Sequence, residues 1–335
     1  MGKKDTCAWE FYSDPARYAD VVNGLICNGE QVVDKGDLHE LDSRIGQKSR
    51  DLLRKVAFGK NIAVIGIENQ EYVDYSMPQR MLLYEAKVYE KLAADIRAEV
   101  KEDPSGISSD EYLGRFRKDD KIHPQVTLVL YYGQKPWDGE RNLHEIIDFT
   151  DIPESLQKLV QDYQVHVVDI RRLEDTSVFK TDVKLVFDFI RCSDDSEKLE
   201  RLVKGNSAYQ ELDKKAFEFI SYYGDAHGLR ECRTFNEKGT VINMCKALDE
   251  IYAKGQVAGE LIGEMRGEAR GEARGEARGE ARGEARGEVR GEARGIEKEK
   301  MNTVRSALLM NLPIEQIMSL CRCSAEYVDR IRLVI

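Results

Sequence analysis

Long apolar runs are missing from this 335-residue sequence, and no window offers the roughly 18 or more apolar residues that a transmembrane helix needs. The start, MGKKDT, is basic, but no apolar segment of a signal peptide follows it. The seven cysteines are odd in number and scattered, which disfavours a disulfide framework and indicates a reducing compartment. We therefore expect a cytoplasmic protein with no membrane partner.

Histidine and nucleotide-binding loops are also scarce. The five histidines include no pair with HxxxH metal spacing, and none lies beside a serine or cysteine nucleophile motif. No Walker-type loop occurs, and the glycines of GEARGEARG do not follow a strand with dinucleotide-binding spacing. These absences disfavour the corresponding enzyme classes, and no small-molecule cofactor is expected.

Charge is abundant, and one segment departs from the acidic average. The chain has a formal net charge of -10, a mild argument against nucleic acid as a partner. Between Arg44 and Lys60, however, six residues are basic and only Asp51 is acidic. This segment is either a charged strand edge that resists aggregation or a patch that faces phosphates.

A β-hairpin is predicted around the dipeptide Gly59-Lys60. Apolar segments at residues 51–58 and 61–68 flank it, and a two-residue loop with glycine first is typical of a type II′ turn. The register of that turn places Asp51 directly opposite Glu68 on the neighbouring strand.

Two carboxylates at opposed strand positions lie about 5 Å apart on one face and repel each other. A divalent cation between Asp51 and Glu68 removes the repulsion, and Mg²⁺, or Mn²⁺ in its place, is predicted there. Mg²⁺ binds few carboxylates and keeps positions for phosphate and water. Gln70 lies on the face of Glu68, two residues further along. The alternative is a hairpin end that simply turns polar at the surface.

The motifs of this region are specific in combination. They are Asp51, Glu68-x-Gln70 after an apolar strand, MPQRMLLYEA (Met77–Ala86) and LVLYYGQKPWDG (Leu128–Gly139). Together they resemble the Rpn family of recombination-promoting nucleases and putative transposases, in the PD-(D/E)XK nuclease superfamily. The resemblance covers about the first 200 residues. It implies an αβββαβ core, metal-dependent DNA cleavage, and a role in recombination or mobile elements.

The resemblance implies catalytic roles for Asp51, Glu68 and Gln70. The superfamily's usual third residue is lysine, and many relatives have glutamine there instead. Glutamine can position a water by hydrogen bonds but supplies no charge. Lys55, on the face of Asp51, and Arg80, near the start of the next helix, are the candidates to supply it.

DNA is the expected partner, and its phosphates are expected to contact Arg50, Arg54, Lys55 and Arg80. Such contacts are salt-sensitive and sequence-independent. By the same resemblance, Asp20 of the first helix is a further candidate acid. A homodimer is the other candidate assembly.

The predicted fold class is α/β, a restriction-endonuclease-like core with added helices, a low-complexity linker and a small helical tail. Residues 1–200 form the nuclease-like domain, 201–255 a helical extension, 256–296 a GEAR-repeat linker and 297–335 a helix-turn-helix-like tail. The first strand is expected at Gly24–Val33. The tail is interpreted as a segment that binds DNA, forms a dimer or docks on the first domain.

The GEAR repeats are expected to lack a strongly populated helix. Each glycine costs about 0.8–1.0 kcal/mol relative to alanine in a helix, and four-residue spacing stacks like charges. A helix pair that packs through its small residues is the alternative.

The leading hypothesis is a Mg²⁺-dependent DNA endonuclease that hydrolyses phosphodiester bonds in recombination or in a mobile element. One rival is a catalytically weak or inactive DNA-binding or interaction protein that retains the nuclease fold. Another is a regulator whose tail and linker bring partners together.

Overall fold

The computed structural model describes residues 2–41, 52–224, 228–229 and 241–334. The chain divides into two compact units, Met1–Ala253 and Lys254–Ile335. The division between the units falls within residues 201–255, the predicted helical extension. Among the described residues, none of the helices combines the length and hydropathy needed to cross a bilayer.

The first unit is a mixed α/β structure. Its strands are β1 (Leu38–Glu40), β2 (Leu52–Phe58), β3 (Asn61–Gln70), β4 (Gln125–Tyr131), β5 (His166–Asp169), β6 (Leu212–Asp213) and β7 (Val241–Ile242). Its helices are α1 (Lys3–Tyr12), α2 (Pro15–Leu25), α3 (Met77–Glu102), α4 (Ser109–Gly114), α5 (Glu154–Gln157), α6 (Val183–Cys192), α7 (Ser196–Gly205) and α8 (Lys214–Tyr223). Helix α9 (Met244–Leu309) begins in this unit.

Strands β1 to β5 form a five-stranded sheet of order β1-β2-β3-β4-β5, with β3 at its centre, and β6 pairs with β7 in a separate two-stranded sheet. Strands β1, β2 and β3 pair antiparallel, and β3, β4 and β5 pair parallel. The β2–β3 register runs from Leu52 opposite Ile67 to Phe58 opposite Asn61, which confirms the predicted turn. Gly59 has a φ of 63°, as the first central residue of a type II′ turn requires.

Helices cover both faces of the sheet. Helix α3 covers one face: its Met81 clusters with Val129, and its Val88 and Leu92 cluster with Val64. The opposite face carries the main core, where Ile65 and neighbouring strand residues pack against α1, α2, α6 and α8. The central strand is therefore buried on both sides, which explains its continuous apolar sequence.

The first predicted strand was wrong. Residues 24–33 begin inside α2 and continue through a turn in which Asn28 and Gly29 have φ values of 52° and 89°. The side chain of Asn23 bonds the backbone of Val33, so local hydrogen bonds satisfy this segment without a strand partner. The edge strand is β1, which follows this segment at Leu38–Glu40 and pairs with β2.

The helix through the GEAR repeats is a second correction. Helix α9 continues across residues 256–296, where the sequence predicts no strongly populated helix. Alanine, glutamate and arginine are strong helix formers and offset the glycine of each unit. Packing at both ends also supplies the nucleation that an isolated repeat lacks, since Met244 and Val304 are fully buried in separate cores.

The second unit ends in the predicted short helices, α10 (Ile314–Cys321) and α11 (Ala325–Arg332). Ile317 and Val328 pack with the end of α9 in a small core. Arg322 between the helices has a φ of 43°, a left-handed conformation that usually favours glycine. The DNA-binding role predicted for this tail stays a prediction.

Alanine at Gly271 and at Gly59 should have opposite effects. A Cβ at either position meets nothing within 4 Å, so crowding does not distinguish them. Gly271→Ala should stabilise α9 locally by about 1 kcal/mol. Gly59→Ala, at positive φ, should destabilise the hairpin by about 1–2 kcal/mol. Thermal melts followed by circular dichroism test both, and an unchanged melt for Gly59→Ala would contradict the turn.

Candidate active site

Glu68 is a buried carboxylate at the end of the central strand. Its side chain lies on the face of the sheet that α3 covers, and only 3% of the residue is exposed. Burial of an ionised carboxylate is costly unless a positive charge and hydrogen bonds compensate it. The surroundings of Glu68 therefore decide what this position can do.

Arg80 supplies the compensating charge. Its guanidinium Nη2 donates to Oε1 of Glu68 and forms an ion pair with it. The arrangement follows from the chain path, because α3 begins at Met77 and sets Arg80 in its first turn, over the end of β3. Arg80, which the sequence predicts as a phosphate contact, thus neutralises the candidate metal ligand in this state of the molecule.

Two more residues hold the Arg80 side chain. Its Nη1 donates to Oδ2 of Asp74 at 3.3 Å, and its Nε donates to the hydroxyl of Tyr84 at 3.1 Å. Burial would lower the pKa of Arg80, but the charge of Glu68 and these partners raise it above its ordinary value. Burial would likewise raise the pKa of Asp74, but hydrogen bonds from Ser76 and Arg80 lower it. Both groups are charged at neutral pH.

Gln70 lies beside Glu68, as predicted. Its Nε2 is 3.4 Å from Oε1 of Glu68, so the amide and carboxylate form one polar group at the strand end. Asn69, between them, points to the other face and accepts a hydrogen bond from Tyr132 at 3.0 Å. The alternation of a strand thus separates a site face from a core face at these three residues.

The predicted DNA contacts divide between the two faces. Lys55 pairs with Val64 and so lies on the face of Glu68. Arg54 lies on the opposite face, where its guanidinium donates to the carbonyl of Ser13 at 2.6 Å and sits over the Tyr18 ring.

Asp51 and Arg50 lie outside the described residues. Their predicted roles, in metal binding and catalysis for Asp51 and in DNA binding for Arg50, stay predictions.

Asp20 has a structural role. Its carboxylate accepts hydrogen bonds from the backbone N–H groups of Lys180 and Thr181 and from the Thr181 hydroxyl at 2.6 Å. These bonds tie α2 to the segment before α6.

Sequence reasoning missed Asp74 and Tyr84. Asp74 caps the backbone and hydroxyl of Ser76 immediately before α3, an Asp-x-Ser turn that is readable from sequence. Tyr84 follows Arg80 by four residues, the spacing of contacts along a helix.

The described donors suit a hard divalent cation. A buried carboxylate and an adjacent amide offer oxygen ligands, and the ion pair with Arg80 shows that a positive charge is accommodated beside Glu68. Within residues 2–41, 52–224, 228–229 and 241–334, no group of three or more His, Cys, Asp or Glu side chains is placed to hold a metal ion. A complete metal site therefore needs ligands beyond these, from Asp51, water or substrate.

A family model described as "Putative transposase, YhgA-like" matches residues 38–216. The match covers more than half of the chain. The chain belongs to this family of YhgA-like putative transposases. Membership confirms the family resemblance read from its motifs. No match was found among curated proteins or among solved structures.

The region shared with the YhgA-like family includes all five strands of the main sheet, from β1 at Leu38 to β5. It also includes Glu68, Gln70 and Arg80 of the site. The long helix α9 and the helices after it lie beyond the matched range.

Proposed function

We propose that this protein is a Mg²⁺-dependent DNA endonuclease that acts in transposition or DNA recombination. The carrying observation is the buried carboxylate of Glu68 at the end of the central strand, with Gln70 and Arg80 against it. Family membership supports a transposition-related function and an interaction with DNA. The order of helix, three antiparallel strands, helix and parallel strand supports a PD-(D/E)XK-type core.

Asp51 completes the proposed site. The antiparallel pairing of the described residues ends with Leu52 opposite Ile67. Asp51 lies outside the described residues, and the register predicted from the sequence would set it opposite Glu68. Asp51 and Glu68 would hold the divalent ion. When bound, that ion polarises the scissile phosphate and lowers the pKa of an attacking water.

The chain's own residues position the substrate. Gln70 accepts a hydrogen bond from the water and orients it, without adding charge. Arg80 offers a guanidinium whose five donors suit a phosphate, and Asp74 and Tyr84 keep it near Glu68 when it is not on DNA. Lys55, on the same face, contributes a second positive charge for the backbone.

Nicking of supercoiled plasmid tests the proposal. In Mg²⁺ the purified protein should convert supercoiled plasmid to nicked or linear forms, and chelation should stop the conversion. DNA binding without cleavage in either Mg²⁺ or Mn²⁺ would instead favour a binding protein that retains the fold. Gln70 in place of lysine is the specific feature that keeps this alternative in view.

Lys55 and Arg54 are adjacent in sequence but should behave differently. Lys55→Gln should weaken DNA binding and reduce the salt slope of the logarithm of the binding constant by about 0.9, the value for one phosphate contact. Arg54→Gln should chiefly lower the melting temperature, because its side chain bonds Ser13 and packs on Tyr18. Binding titrations over a salt series decide the matter, and equal salt slopes for both variants would contradict the assignment of faces.

A further inference from the structure

A tyrosine-rich cavity lies directly beyond the candidate active site. Its volume is about 470 Å³, within the range of about 300–1,000 Å³ that is usual for small-ligand sites. Five of the chain's 15 tyrosines line it: Tyr72, Tyr75, Tyr131, Tyr132 and Tyr223. The function proposed above makes no use of this cavity.

The cavity lies where ligands are expected in such a sheet. Glu71 on its wall follows Gln70 directly, and Tyr131 on its wall is the residue paired with Gln70 at the end of β4. Ligands of open α/β sheets bind outside the carboxyl ends of parallel strands. A molecule in the cavity would therefore lie at the strand ends that carry Gln70 and Tyr131, one residue beyond the candidate site along β3.

The loops that follow β3 and β4 approach each other closely at the wall of the cavity. A Cβ added to Gly133 would lie 2.7 Å from the carbonyl oxygen of Glu71, so only glycine allows this approach. The Tyr131 hydroxyl donates to the carbonyl of Lys135 at 2.9 Å and holds the second loop. The cavity is therefore preformed.

Two tyrosine rings at the cavity are exposed to an unusual degree. Tyr72 is 76% exposed and Tyr75 is 63% exposed. The Tyr75 hydroxyl donates to Asp138 at 3.2 Å, which raises the pKa of Tyr75 and orients its ring. Aromatic rings held at the surface beside a cavity are typical stacking platforms for unpaired bases.

The charged groups on the cavity wall are few and partly compensated. Glu71 forms an ion pair with Lys4, and Asp138 accepts from Tyr75. Among the described residues of the lining, Lys135 is the basic one. These residues therefore present no cluster of positive charge for a phosphate, whereas Asp138 can accept from the exocyclic amine of a base. The occupant best suited to this chemistry is the uncharged, planar part of a nucleotide.

We propose that this cavity binds an unpaired nucleobase next to the cleavage site, so that the preferred substrate is DNA with single-stranded or unpaired segments. A base stacked inside a duplex cannot enter a side cavity without being extruded. The inference rests on the proposed nuclease function and names its substrate class.

Fluorescence anisotropy with chelator present tests the inference without cleavage. The probes are a labelled single-stranded oligonucleotide and a duplex of the same sequence. Tyr72→Ala and Tyr75→Ala should each weaken single-strand binding by about 5- to 100-fold, as expected for the loss of one base stack. Duplex binding should change by less than about 2-fold, since stacking within a duplex excludes the cavity.

Two control variants test whether the aromatic ring of a cavity tyrosine is responsible for the change in binding. Tyr72→Phe keeps the stacking surface and should retain single-strand affinity. Tyr112→Ala removes a tyrosine that is 64% exposed on α4, away from the cavity, and should have no effect. A 2-aminopurine base in the probe should be quenched by the parent protein and less so by Tyr72→Ala.

If Tyr72→Ala and Tyr75→Ala weaken binding to single strand and duplex equally, or weaken neither, the inference is overturned. Plasmid nicking separates this failure from failure of the proposed function. If the parent protein nicks plasmid but DNA binding does not depend on the tyrosine rings, the proposed nuclease function is retained and the base-binding role of the cavity is rejected. Ring-dependent binding without nicking in Mg²⁺ or Mn²⁺ would remove the nuclease and keep the base site.

Discussion

Replacing Glu68 by glutamine should reduce plasmid nicking by about 100-fold or more, equivalent to about 2.7 kcal/mol of transition-state stabilisation. The substitution preserves the size of a buried side chain and removes its negative charge. The proposed divalent ion would then lose one of its two carboxylate ligands. Arg80 would retain Asp74 and Tyr84, so the fold should survive.

Two comparisons make the Glu68→Gln result specific. Glu90→Gln removes an exposed carboxylate from α3 and should leave nicking unchanged. DNA binding by Glu68→Gln, measured with chelator present, should be equal to or stronger than that of the parent, because a negative charge is lost and Arg80 is released toward phosphate. Glu68→Gln protein that nicks at the parent rate would remove this carboxylate from the chemistry.

Arg17→Met should lower the free energy of unfolding by about 3 kcal/mol. The guanidinium of Arg17 contacts Asp182 through two hydrogen bonds of 2.7 and 2.8 Å and contacts Asp213 at 2.6 Å. It thereby joins α2 to the starts of α6 and α8. Removing one partner of a buried ion pair leaves the other charge uncompensated and costs about 3–5 kcal/mol. The lower value applies because the Asp213 side chain is 44% exposed.

Chemical denaturation at neutral pH measures this effect. Lys204→Met is the control, because the ion pair of Lys204 with Glu200 is exposed and screened by solvent, so its loss should change the free energy of unfolding far less than loss of Arg17. Equal losses for the two variants would show that the Arg17 cluster is not a structural tie.

The Arg17 effect should also depend on pH. Burial would raise the pKa of Asp213, but hydrogen bonds and charge from Arg17 outweigh it and lower the pKa below its ordinary 3.8. A carboxyl group with a lowered folded-state pKa stabilises the fold above its unfolded-state pKa and loses this contribution as the pH falls. The difference in the free energy of unfolding between the parent protein and Arg17→Met should therefore become smaller below about pH 4.

Local signals made much of the central scaffold predictable. The Gly59-Lys60 turn and two apolar segments were enough to predict the hairpin and the register of its described residues. Strand β1 was missed because its three residues carry no periodicity and become a strand only by pairing with β2. The GEAR helix was missed because its ends are stabilised by packing that lies far away in sequence.

The candidate site was only partly predictable for a similar reason. Alternation along β3 was enough to place Glu68 and Gln70 on one face. The partner of Glu68 was not predictable from alternation, because the Arg80 contact depends on how α3 crosses the end of the strand. Arg80 in the first turn of α3 was nonetheless the available signal, and sequence reasoning assigned its charge to phosphate or to the role of the missing lysine, not to Glu68.

The most direct test of the central claim is a crystal structure with Mn²⁺ and DNA, analysed by anomalous diffraction at the manganese edge. The account predicts an anomalous peak about 2.0–2.3 Å from a carboxylate oxygen of Glu68, with Asp51 on its other side and Arg80 moved toward phosphate. A crystal soaked to saturation with Mn²⁺ that shows no anomalous peak at Glu68, and in which Arg80 is still paired with Glu68, would contradict the proposed metal site.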